Sequence, residues 1–188
     1  MSLKYLHINE KHHKKQLIIS HQQVIILKNF LTELVKSEVL VINTNLGLEI
    51  YYESMYDCTQ IIKDTFAIVA CKKCKTEDKY RFYDFQNEQE IQLFMDTAMQ
   101  KLARMPLFTS YTKSMLGQLN AQFETNRRLI GRLLEIWHEV SSNIRYKGIN
   151  LQKIRDFRND FQAVYINNVE NDILKELFME MLEKKHLN

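Results

Sequence analysis

The sequence predicts an α+β protein: an N-terminal helix, a four-strand antiparallel meander and a second helix over residues 1–105, followed by a helical unit over 107–188. Three observations carry that expectation. Four glycines and one proline in 188 residues fall far below the usual proportions of about 7% and 5%, so chain reversals are few and helices dominate. The runs VLVI and LEIYYES interrupt the helical period with strand-like stretches. Beyond Pro106, apolar residues recur at steps of three and four nearly to the end.

Each element has its own warrant. Ser20 and Gln23 have capping-box spacing ahead of Val24, Leu27, Leu31, Leu34 and Val35, which predicts a helix over 21–37. Strands follow at 39–42 and 48–54, joined by NTNLG, whose Asn and Gly residues suit a tight turn. FAIVACKKC and KYRFYDF flank the polar KTED, which predicts a second hairpin with strands at 66–74 and 79–85. Asn87 and Glu90 repeat the capping spacing before Ile91, Phe94, Met95, Ala98, Met99 and Leu102, giving a helix over 88–104 that Pro106 ends.

In the second unit Leu116, Leu119, Phe123, Asn126, Ile130, Leu133, Trp137, Val140 and Ile144 step by alternating threes and fours, a heptad seam of about four repeats. The pattern predicts one long helix over about 110–146, some 50 Å in length at about 1.5 Å per residue. Gly148 and Asn150 mark the break, and helices over about 151–165 and 169–185 complete a helical hairpin or three-helix unit. Ile173, Leu174, Leu177, Phe178, Met181 and Leu182 carry the last of these.

Charge argues against several functions. The net charge is +3, with 14 basic and 13 acidic groups in residues 1–105 and 12 and 10 in the rest, so neither part is a nucleic-acid-binding arm. There is no long charge-free apolar run, and MSLKYLHINEKHHKKQ lacks the apolar core of a secretion signal. Its basic cluster, Lys11, Lys14 and Lys15 with His12 and His13, reads as a solvated terminus. Three cysteines suit reduced thiols, and the expectation is a cytoplasmic protein with no membrane span.

The one CxxC, CKKC at 71–74, invites a metal or redox reading. If it ends a strand, Cys71 and Cys74 point to opposite faces and cannot share an ion. Cys58 is the only other thiol, so Cys58, Cys71 and Cys74 with one histidine form the remaining metal set. The expectation is no metal and no cofactor. Lys72, Lys73, Lys75, Lys79 and Arg81 interleave with Tyr80, Phe82, Tyr83 and Phe85, a composition that can bind single-stranded RNA. Alternation places Tyr80 and Phe82 on one face and Tyr83 and Phe85 on the other, so one pair at least is core, and RNA is the lesser reading. No Gly-rich phosphate loop, GxSxG or HExxH is present.

Arg132 and His138 have the Rx4-6H spacing, and LQKIRDFRNDFQAVY carries the dipeptide Arg158-Asn159. Between Arg132 and Tyr165 the chain thus resembles the HEPN ribonucleases, a helical and dimeric family; the resemblance would make Arg132 and His138 catalytic. It departs from the pattern after Asn159, where Ala163, Val164 and Tyr165 stand in place of a histidine. On one helix, moreover, Arg132 and His138 lie about 240° apart.

The favoured expectation is a non-enzymatic protein-interaction module, an adaptor or chaperone-like subunit. The order helix, meander, helix is also that of small secretion chaperones, which it resembles in architecture alone. Its partner is another protein or a second copy, bound through Leu116, Leu119, Phe123, Asn126, Ile130, Leu133 and Trp137, with Asn126 selecting register. An RNA-binding or HEPN-like ribonuclease function is the alternative.

Overall fold

The computed structural model describes residues 1–11, 17–70, 79–143 and 149–184. The chain forms two compact units, Met1–Ile91 and Gln92–Asn188. The division falls inside a helix and not at Pro106.

The first unit contains β1 (Ser2–Glu10), α1 (His21–Val35), β2 (Val39–Thr44), β3 (Gly47–Ser54), α2 (Thr59–Ala70), β4 (Tyr80–Phe85) and the start of α3 (Glu88–Leu102). As the sequence predicts, the class is α+β and the sheet has four strands, all paired antiparallel. The strand order is β2-β3-β1-β4.

Two of its elements differ from expectation. No strand is expected in residues 1–20, yet β1 is central, pairing Leu6 with Ile50 on one side and with Asp84 on the other. Leu6 and Ile8 enter the core with α1 and α2, while Leu3 and Tyr5 are buried on the opposite face. A strand covered on both faces has no polar alternation to reveal it. The strand expected at 66–74 is, as far as residue 70, the end of helix α2, and residues 71–74 lie outside the described residues. FAIVA has strand-forming side chains, but Ile62 and Phe66 are four apart and fully buried in the α1–α2–sheet core, so packing overrides local preference. β4 pairs with β1, so residues 66–70 do not form its hairpin partner.

The capping signals are realised. The Ser20 hydroxyl accepts from the Gln23 amide, and the Gln23 side chain accepts from the Ser20 amide. Lys36 closes α1 in the left-handed region, its N–H donating to Thr32 O. Asn87 Oδ1 accepts from the Glu90 amide at 3.0 Å ahead of α3. Gly47 opens β3 at φ 147°, where an added Cβ would stand 2.6 Å from Ile8 O. Only glycine fits that turn beside β1.

The second unit continues α3 and adds α4 (Phe108–Ala121), α5 (Arg127–Asn143), α6 (Ile149–Asn168) and α7 (Asp172–Lys184). The single helix expected over 110–146 is not formed. It breaks at residues 122–126, where the ladder tightens to three-residue bonds: Phe123 N donates to Asn120 O and Asn126 N to Phe123 O. The cause is local competition for one carbonyl. Gln122 O, which an unbroken helix would give to the Asn126 amide, instead accepts from Thr125 Oγ1 at 3.2 Å and Asn126 Nδ2 at 3.3 Å. Asn126 then stands at the N-cap position of α5, its carbonyl accepting from the Ile130 amide.

α4 and α5 both pack on α6. Trp137 meets Phe157 edge-on at 5.2 Å between ring centroids, and Phe123 meets Tyr165 at 5.5 Å. The absent side chain of Gly131 lets the Tyr165 ring approach α5, since a Cβ there would lie 3.2 Å from it. Asn150, expected as a cap, falls inside α6, and Gly148 lies outside the described residues. Asn171 caps α7, its Oδ1 accepting from the Ile173 and Leu174 amides.

Candidate protein-docking surface

The residues expected to bind a partner are consumed by their own unit. Leu119, Phe123, Asn126, Ile130, Leu133 and Trp137 are all buried, and Leu116 is partly so. α6 supplies the cover that the heptad pattern demands. Asn126 is a helix-start residue bonded to Gln122 and Thr125 and not a register device between long helices. The seam therefore offers no open face, and Ile144 lies outside the described residues.

Other candidates are placed as follows. Arg132 and His138 share the helix α5, with Arg132 part-exposed and His138 buried; six residues turn the helix to about 240°, which is about 120° by the shorter way round. On α6, burial and the neighbouring Arg155 lower the Arg158 guanidinium below its ordinary range, and its nitrogens reach Asn159 Oδ1. Cys58 is buried at the start of α2, its sulfur 3.6 Å from Ser54 Oγ. Cys71 and Cys74, with Lys72, Lys73 and Lys75, lie outside the described residues. Among the described residues no group of His, Cys, Asp and Glu side chains could hold a metal ion. On β4, Tyr80 is core, edge-on to Phe66 at 5.0 Å, so it is not a stacking platform for RNA. Met95, Met99 and Met115 are buried, and Met105 is exposed.

The second face of the sheet carries a polar and aromatic cluster that sequence reading missed. Tyr5 is stacked between Tyr51 at 4.5 Å and Phe85 at 5.4 Å. The Tyr51 hydroxyl donates to Glu49 Oε2 at 2.6 Å, and Tyr5 Oη lies 3.1 Å from His7 Nδ1. Burial pushes the His7 imidazole down to about 4, so it is neutral at physiological pH. Shared-face positions His7, Glu49 and Tyr51 follow from cross-strand pairing and could have been found only with β1 recognised.

Among the described residues of the first unit, the outer side of α1 is an apolar surface in solvent. Val24, Leu27 and Leu31 point inward and are buried. On the outside Ile25 is 47% exposed, Ile26 40%, Phe30 56% and Leu34 51%. Leu34, read from the sequence as part of the inner stripe, is thus outside. A helix apolar on both sides is ordinarily enclosed on both. Ile26, Asn29, Phe30 and Glu33 line a shallow depression of about 300 Å³. These residues stand at i, i+3, i+4 and i+7, the four-residue hole into which a side chain of a facing helix inserts. The adjoining helix α2 adds Ile61 and Ile68, both exposed. Glu33 and Lys36 pair with each other at 2.9 Å in solvent, so the rim carries no net charge there. Burial lowers the Lys28 ammonium below its usual range on the flank of the same helix. In the second unit, Ile173, Leu174 and Leu177 on α7 are also exposed.

No protein-family model, curated protein or solved structure matches the chain. Among the described residues no helix is long and apolar enough to cross a membrane.

Proposed function

We propose that the protein is a non-enzymatic interaction module, an adaptor or chaperone-like subunit acting in the cytoplasm, that docks a helical segment on the outer side of α1. The observation supporting this reading is the four-residue hole on α1, set in a row of exposed large apolar side chains at i, i+4 and i+8. Grooves of this kind accept the anchors of an amphipathic helix, whose apolar face fills them and excludes water. The binding residues proposed are Ile26, Phe30 and Leu34, with Ile61 and Ile68 on α2.

The HEPN-like reading has less behind it, because nothing brings His138 and Arg132 to one side of α5. The experiment is a comparison of two baits, wild type and Phe30→Asp, in extract of the native host. Wild type is expected to retain a protein that the variant, folded to the same extent by circular dichroism, does not. Identical captures by both baits would sink the reading.

A further inference from the structure

We propose that the occupant of the α1 surface is the α1 of a second copy of this chain, packed antiparallel about a twofold axis close to Phe30. The inference rests on the docking reading above and identifies its partner.

The first argument is that one helix carries both halves of the contact. The hole is formed by Ile26, Asn29, Phe30 and Glu33, and the side chains suited to fill such a hole, Ile26, Phe30 and Leu34, project from the same exposed row. In knobs-into-holes packing each knob is also part of the rim for the partner's knob. A surface with that property is complementary to itself, which is the condition for an isologous twofold interface.

The second argument is charge. A partner of strong charge would select a rim of the opposite sign, but Glu33 and Lys36 neutralise each other across 2.9 Å. Two such rims meet without the repulsion that a single-sign patch imposes on its own copy.

The third is size. Ile26, Phe30, Leu34, Ile61 and Ile68 are between 40% and 79% exposed, and at about 150–200 Å² for a whole side chain of this size they present roughly 400–550 Å². A stable interface covers about 800 Å² on each partner, so the apolar side chains of α1 and α2 with their polar neighbours suffice. A patch of this size lies in the upper part of the range of about 300–600 Å² that monomers carry, where such patches are often functional.

The test is the solution mass of the full-length chain by sedimentation over a concentration series, for wild type, Phe30→Asp and Ile26→Lys, with circular dichroism as the folding control. Wild type is expected at twice the chain mass. Phe30→Asp is expected at the chain mass with an unchanged spectrum; should that variant misfold, Ile26→Lys gives the same reading from the other side of the hole. A monomeric wild type overturns the proposal, as does a dimer that both folded variants preserve. If wild type is monomeric while Phe30→Asp still loses a partner in extract, the second copy is wrong and docking stands. If the captures are also identical, both fall.

Discussion

Two apolar helix faces in this molecule invite comparison: the seam on α4 and α5, and the outer row of α1. The seam has the more regular sequence pattern, yet α6 of the same unit covers it, with Phe123 against Tyr165 and Trp137 against Phe157. The α1 row is shorter and less regular, yet it is the one left in water. Periodicity shows that a face requires cover. It does not show which segment provides it, and the surplus of apolar residues beyond one face is the better guide to an open surface.

The largest expected effect separates the two faces by stability. Phe123→Ala, at a fully buried seam position, should cost about 3–5 kcal/mol of unfolding free energy. Phe30→Ala should change the stability of the isolated chain by no more than about 0.5 kcal/mol, as an exposed site does. Denaturant titration of both variants at a concentration where the chain is monomeric checks this, and comparable losses at the two sites would erase the distinction.

Several elements were legible in the sequence for physical reasons that the structure repeats. Ser20 with Gln23, and Asn87 ahead of α3, satisfy helix-start amides that have no other partner. The β2–β3 hairpin followed from the change of period at VLVI and LEIYYES. β1 was not legible, because its Leu3, Tyr5, Leu6 and Ile8 face both ways and a charged run follows directly. FAIVA misled because its strand-forming side chains sit on a helix whose buried residues, Ile62 and Phe66, are set by contact with the sheet. The break at 122–126 was hidden because the turn keeps Leu119, Phe123, Asn126 and Ile130 all buried, so the spacing passes through it undisturbed. The α1 surface was overlooked although VIILKNFLTELV holds more apolar residues than one helical face can bury; Ile25, Ile26 and Phe30 were the available signal.

The unit that carries α1 should also respond to acid. His7 is held at about 4 by burial, below the value of about 6.5 expected in an unfolded chain. Between those values the unfolded chain binds a proton that the folded one refuses. The contribution is therefore fully present above about pH 6.5 and is lost as pH falls toward 4, on the order of 3 kcal/mol in all. His7→Gln should flatten the pH dependence of unfolding free energy across that window. Equal slopes for variant and wild type would show that His7 does not titrate in this way.

The smallest effect is the most telling, because its sign alone decides. The contrast between the two faces depends on the seam being divided at residues 122–126 and folded back onto its own unit, with Asn126 opening α5. Asn126→Leu, followed by thermal and denaturant unfolding, measures this directly. Loss of the side-chain bonds to Gln122 O and Thr125 and of a favourable helix-start residue should lower stability by about 1 kcal/mol. In a continuous heptad helix the same change would replace a polar core residue with an apolar one and raise stability, so a more stable Asn126→Leu protein would contradict the account.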